Sequence, residues 1–197
     1  MEYIDYFEWI LNSKFLQKGD DELTMIEEAQ GDEKAQKVRI VSSSSSISKM
    51  RLYGFNALDK GTKDLFPFFN QRTRDPGKAP HGLTSFCDYI LLVQHVKGLF
   101  VFFFEMKRGD NGDADKQIEA STMLFDYVRQ SAERIKSVNS FPDFNPELVQ
   151  YRRIIISEKC SNKRGTKDND IEDFDMNDVI QHNCHDEFRP LKYCVRN

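Results

Sequence analysis

The stretch Ser85-Phe86-Cys87-Asp88-Tyr89-Ile90-Leu91-Leu92-Val93-Gln94-His95-Val96-Lys97-Gly98-Leu99-Phe100-Val101-Phe102-Phe103-Phe104-Glu105-Met106-Lys107 decides how this chain is read. Two apolar runs, Cys87 to Val96 and Leu99 to Met106, flank a Lys97-Gly98 turn signal, the pattern of a tight β-hairpin. Both runs are apolar at successive positions, which marks central strands covered on each side. With Lys97 and Gly98 as the central turn residues, counting outward sets Asp88 opposite Lys107 and Ile90 opposite Glu105. Side chains alternate along a strand, so Asp88, Ile90, Glu105 and Lys107 project from one face. Asp88 and Glu105 are then diagonal neighbours, roughly 7–8 Å apart. Two carboxylates and a lysine at the open end of a buried hairpin suit a hard divalent cation, which prefers oxygen ligands. An ordinary strand-end salt bridge is the competing reading.

Working outward, residues 113–137 carry helical spacing through Ile118, Met123, Leu124, Tyr127, Val128 and Ile135. Beyond Pro142 and Pro146, Tyr151 to Ser157 reads as a third strand. On the N-terminal side, Tyr3, Ile4, Phe7, Ile10, Leu11 and Phe15 predict an amphipathic helix over 3–18. Asp20-Asp21-Glu22 reads as the acidic first turn of a second helix running to about Gln30. Val38 to Val41 is a short strand, Ser42 to Ser46 a loop, and residues 54–82 are loop-rich. Phe188 to Val195 is expected to be a last edge strand. The order strand–strand–helix–strand predicts an α/β (α+β) fold, a mixed central β-sheet flanked by helices. A single domain is expected: an N-terminal helical part (1–37), a core (about 82–157), and a C-terminal acidic segment with its edge strand (168–197).

Composition narrows the function classes. A chain of 197 residues can bury one sizeable core. The formal charge of −4 speaks against indiscriminate coating of nucleic acid. The charge is uneven, however. Arg152, Arg153, Lys159, Lys163, Arg164 and Lys167 face a single acid, Glu158, within 151–167, and residues 168–187 hold acids with no lysine or arginine. No apolar run reaches the ~20 residues of a membrane helix. The N-terminal residues lack a secretory pattern, and a cytoplasmic location with reduced cysteines is expected.

The hairpin and the helix after it resemble the PD-(D/E)XK nuclease superfamily, with its restriction-endonuclease-like and Holliday-junction-resolvase-like core. The family motif is an acid opening one core strand, then (D/E)-x-K on the next. Here these are Asp88 and Glu105-Met106-Lys107, with Cys87 at the position often held by proline. Gln117, early in the helix after the hairpin, matches a glutamine found in many members. The resemblance spans roughly residues 82–157. It implies Mg²⁺- or Mn²⁺-dependent phosphodiester hydrolysis, with Asp88, Glu105, Lys107 and Gln117 catalytic. It also implies that Asp88, Glu105, the Met106 carbonyl and a glutamate of a preceding helix, Glu27 ahead of Glu28, hold the metal. Arg108, Lys116, Arg152 and Arg153 would then contact phosphates; for Arg152 and Arg153 a solvated strand end is the equal alternative. An endonuclease acting on DNA is the leading expectation. An RNA endonuclease similar to viral cap-snatching enzymes is a second, and a non-catalytic interaction domain a third, its acidic 168–187 stretch docking a basic partner. A homodimer or a protein partner stays open.

Other motifs carry less. His182-Asn183-Cys184-His185, with Cys160 or Cys194, invites zinc but lacks paired C-x₂-C spacing. Asp168 to Asp173 begins like a calcium loop, but Asp173 stands where glycine is required and Val179 where the closing glutamate belongs. His81 reads as a loop histidine, and Cys87 as a core residue facing away from Asp88.

Overall fold

The computed structural model describes residues 2–19, 21–27, 35–42, 44–54, 86–108, 113–139, 145–158 and 179–194. In chain order the elements are helix α1 (Tyr3–Ile10), strands β1 (Leu16–Gly19), β2 (Glu22–Glu27), β3 (Gln36–Val41), β4 (Ile47–Gly54), β5 (Tyr89–His95) and β6 (Gly98–Lys107), helix α2 (Ala114–Asn139), and strands β7 (Val149–Ser157) and β8 (Val179–Asn183). The six-stranded sheet runs β1-β4-β5-β6-β7-β8, and β2 pairs with β3 in a separate hairpin. Along β1, β4, β5 and β6 each strand is antiparallel to the next, whereas β6, β7 and β8 run parallel. This is the mixed sheet flanked by helices that the α/β (α+β) expectation describes.

Why β5 and β6 lack an apolar/polar alternation is plain from their position. Nearly every residue in both is buried, because structure covers the sheet on each face. On one face Leu91, Val93, Phe100, Phe102, Phe104 and Met106 pack against the β2–β3 hairpin and Phe188. On the other, Ile90, Leu92, Leu99, Val101 and Phe103 pack against α1 and α2. Each buried phenylalanine contributes about 1.5–3 kcal/mol of apolar transfer, so this central pair anchors the fold. The N–H of Ile4 donates to Gln94 Oε1 at 3.2 Å, which pins the start of α1 to the sheet.

Several expected elements differ. Helix α1 ends at Ile10, since Asn12 Oδ1 takes the Lys14 N–H at 2.9 Å and starts a 3₁₀ turn, Ser13–Phe15. The second helix expected through Gln30 is strand β2. Its Leu23 and Met25 point inward and meet Val38 and Ile40 of β3 with the strand period of two. The described N-terminal part therefore holds β1, β2 and the start of β3 beside a single α-helix. On α2 the buried stripe is Ala114, Ile118, Ser121, Thr122, Phe125 and Ala132, and the expected core residues Met123 and Tyr127 are exposed. The edge strand is β8, and the tail expected as a strand instead forms a 3₁₀ turn, Pro190–Tyr193. Phe188 alone bridges to β3, its N–H donating to the Arg39 carbonyl at 2.8 Å. His81, Glu28, Cys160, most of the 54–82 stretch and the acidic run 168–178 lie outside the described residues.

The hairpin turn is also displaced by one residue. His95 pairs with Gly98, leaving Val96 and Lys97 at the centre. His95 Nδ1 accepts the Lys97 N–H at 3.1 Å, and the Val96 N–H donates to the Ser46 carbonyl at 3.0 Å. Gly98 opens β6 at φ +135°, where a Cβ would collide with the Leu148 carbonyl oxygen.

Candidate active site

The displaced turn moves each strand by one residue, so the faces are preserved. The pairing ends at Tyr89 and Phe104, and Asp88, one residue beyond it, lies close enough to Glu105 for its charge to act on that carboxyl. Glu105 and Lys107 lie on the face beneath α2, where Phe103 packs and Lys107 meets Gln117, with Asp88 beside Glu105 just outside β5. The Asp88 carboxylate accepts the Met106 N–H at 2.7 Å, which ties the mouth of β5 to β6.

Glu105 is only 2% exposed, and Lys107 Nζ lies 2.6 Å from its Oε1. Its other oxygen, Oε2, is buried with no hydrogen-bond partner. Burial, and then the nearby Asp88 charge, push the Glu105 carboxyl up to about 8, with Lys107 acting in the opposite direction. A buried carboxylate with an orphan oxygen beside a second carboxylate fits a divalent cation, whose positive charge would satisfy both.

Helix α2 completes the arrangement. Lys107 Nζ donates to Gln117 Oε1 at 2.9 Å, and Gln117 Nε2 reaches the Phe86 carbonyl at 3.5 Å. Ser121, one turn further, accepts the Cys87 N–H at 2.8 Å and donates to the Gln117 carbonyl at 3.0 Å. The serine clamps the entry to Asp88 onto the helix, a role that its place four residues beyond Gln117 on one helix face could have suggested. Cys87 is core as expected, but it lies on the α2 side with Ile90, because the chain bends at Asp88 and breaks the alternation. Burial pushes its thiol up, away from nucleophilic use.

The remaining candidates are placed differently. Glu27 ends strand β2 rather than lying on a helix, and Arg108 binds both its carboxylate (Nε–Oε2 3.2 Å) and its carbonyl (3.1 Å). Alternation along β6 directs Arg108 to the face opposite Lys107, so this pair stands across the sheet from Glu105. The acids of α1 are engaged by bases too: Glu2 and Asp5 with Lys49, Glu8 with Lys18 and Arg51. Met106 buries its side chain on the β2–β3 face. Arg152 is buried in mid-strand, donating to the Tyr193 carbonyl (2.9 Å), the Tyr151 carbonyl (2.8 Å) and Gln150 Oε1 (3.2 Å), over the Phe100 ring. It pairs in register with Phe102, far along β6 from Lys107, and is a structural arginine. Arg153 is half-buried abreast of Phe103, neither a solvated strand end nor beside Glu105. Lys116 is exposed in the first turn of α2, 2.7 Å from Asp113, next to Gln117. No described helix is long and apolar enough to cross a membrane.

No family model matches this chain, and no curated protein or solved structure matches it.

Proposed function

We propose that this chain is a divalent-metal-dependent nuclease that hydrolyses phosphodiester bonds, with DNA as the preferred substrate. One observation carries the reading: two carboxylates, Asp88 and Glu105, stand at the mouth of a buried hairpin close enough for one charge to act on the other, with Lys107 2.6 Å from Glu105. The resemblance to PD-(D/E)XK nucleases supports it, since Asp88, Glu105, Lys107 and Gln117 match that motif residue by residue.

Asp88 and Glu105 would hold Mg²⁺ or Mn²⁺, and Glu105 Oε2 is the oxygen with no other partner. A divalent ion held there supplies a water of lowered pKa and a counter-charge for the phosphate. Lys107 presents its ammonium beside the carboxylates, where it offsets negative charge developing at the phosphorus. Gln117 holds that ammonium in one orientation. Lys116 and, through its outward edge, the start of α2 offer the phosphate-binding surface.

The test is to incubate the protein with single- and double-stranded DNA and RNA in EDTA, Mg²⁺ or Mn²⁺. Metal-dependent cleavage that Lys107→Ala slows by about 10²–10³, with the fold intact by circular dichroism, is the expected result. Cleavage unchanged in both Asp88→Ala and Glu105→Ala would overturn the assignment. Preference for RNA would keep the chemistry and replace the substrate.

A further inference from the structure

Strands β7 and β8 run parallel with Ser157 abreast of Asn183, and the Cys184 N–H reaches the Ser157 carbonyl at 3.4 Å. One more step along each strand places Glu158 beside Cys184, and laterally paired residues in a parallel ladder point the same way. The chain then turns sharply. The His185 N–H donates to Asn183 Oδ1 at 2.9 Å, and the Asp186 N–H to the Asn183 carbonyl at 3.1 Å. This turn swings the His185 ring back toward the strand ends. A carboxylate oxygen of Glu158, Cys184 Sγ and a ring nitrogen of His185 consequently all lie within 4.8 Å of one another. Tetrahedral zinc ligands at 2.0–2.3 Å from the ion are about 3.3–3.8 Å apart, so small side-chain rotations close the set.

We propose that Glu158, Cys184 and His185 form a second metal site of the zinc class, which ties edge strand β8 to β7. The site differs from the one at Asp88 and Glu105 in chemistry and in place. A thiolate with an imidazole selects zinc-like ions, whereas paired carboxylates select magnesium or manganese. Cys184 belongs to the apolar cluster with Ile154, Ile156 and Phe188, on the sheet face opposite α2. Its backbone and body are buried, while Glu158 and His185 are exposed, so an ion enters from solvent and water fills the fourth position. On binding, the Cys184 thiol gives its proton to solvent, His185 coordinates as neutral imidazole, and Glu158 as carboxylate. The neighbouring candidates are otherwise engaged. His182 Nε2 lies 3.3 Å from the Asp186 carbonyl with its ring against Phe188, and Cys194 is buried near the Arg152 guanidinium. Sequence spacing alone does not show this set, because Glu158 joins it only through the parallel register of β7 and β8.

Cobalt reports the site directly, since thiolate ligation produces a near-ultraviolet charge-transfer band that carboxylate sites lack. The full chain titrated with Co²⁺ is expected to show this band, and Zn²⁺ is expected to displace it. Cys184→Ser should abolish the band. His185→Ala and Glu158→Gln, both at exposed positions that leave the fold intact by circular dichroism, should each weaken cobalt binding by about tenfold or more. The double variant Asp88→Ala/Glu105→Ala should retain the band, which separates this site from the nuclease reading. No band in the wild-type chain overturns the proposal. So does a band undiminished in His185→Ala, or one that survives Cys184→Ser but is lost in Cys160→Ser.

Discussion

Lys107 Nζ donates to Gln117 Oε1 at 2.9 Å while standing 2.6 Å from Glu105 Oε1, so one ammonium joins the end of β6 to the first turns of α2. A surface ion pair between mobile side chains is worth little. This one is different, because Glu105 is nearly inaccessible and the lysine is oriented from two sides.

Lys107→Ala is therefore expected to lower the single-turnover cleavage rate by about 10²–10³, the usual cost of removing one charge-stabilising donor. Gln117→Ala should cost less, on the order of tenfold, because the lysine keeps its charge and its Glu105 partner. Gln117→Ala should melt within a few degrees of the wild type, whereas Lys107→Ala also removes the partner of buried Glu105 and should melt lower. Equal losses in the two would mean that Gln117 touches the substrate itself rather than positioning Lys107.

Glu105 gives a pH dependence with a definite sign. Its folded-state pKa is raised to about 8 from the ordinary 4.5, by burial first and by Asp88 second. Between those values the folded state holds a proton that the unfolded chain has released. The contribution of Glu105 to stability without metal is thus full below about pH 4.5 and is lost as pH rises toward 8. The direction of the shift sets the sign of the slope, and a change of a few degrees in Tm is the size expected in a chain of this length. Melts at pH 5.5 to 8.5 in EDTA should show this slope for the wild type and a flatter line for Glu105→Gln. Added Mg²⁺ should raise the wild-type Tm most at the alkaline end, where the ion replaces the proton. Asp88→Asn keeps an acceptor for the Met106 N–H but removes the charge, and should shift the wild-type slope to lower pH.

Arg152 separates a structural arginine from a phosphate-binding one. Its hydrogen bonds to Tyr193, Tyr151 and Gln150 and its stacking on Phe100 are internal. Arg152→Ala leaves the Tyr193 carbonyl without its charged donor and should destabilise the fold by about 2–3 kcal/mol. DNA affinity of the folded fraction should stay unchanged at fixed salt. Lys116→Ala should do the reverse, leaving Tm in place while weakening binding and making it less salt-dependent. Fluorescence anisotropy at two salt concentrations, beside thermal melts, distinguishes the two.

These residues also show what can be read from the chain alone. The common face of Glu105 and Lys107 is legible because side-chain direction repeats every two residues. Moving the turn centre by one residue shifts both strands together and leaves the parity intact. The position of Glu27 is not legible, since Asp20-Asp21-Glu22 satisfies the charge rule for a helix start while the alternation of Leu23 and Met25 obeys the strand rule. Tertiary pairing with Val38 and Ile40 decides between them. Arg152 reads as a phosphate contact because six bases cluster along 151–167. Net charge along the chain says nothing of which side chain a parallel strand turns inward. Glu158 is hidden in the sequence for the same reason.

Gly98 tests the turn on which that parity rests. A glycine after a lysine reads as a turn centre, yet here it opens β6, paired with His95, with φ at +135°. Its lack of a side chain serves a close approach, since an added Cβ would meet the Leu148 carbonyl oxygen and also the Leu148 side chain. Leu148 closes the 3₁₀ turn that leads directly into β7, the parallel neighbour of β6. Gly98→Ala thus strains the backbone and pushes β7 away from β6 at the end far from Glu105. A destabilisation of about 1–3 kcal/mol is expected from the positive φ alone, measured by urea denaturation. A true turn centre would behave otherwise. Lys97→Gly, at the central position, should cost less than about 1 kcal/mol, because an exposed turn residue makes few contacts. If Lys97→Gly proved the more damaging of the two, the register of β5 against β6 would be wrong by one residue in each strand, and Tyr89 would pair with Met106 instead of Phe104.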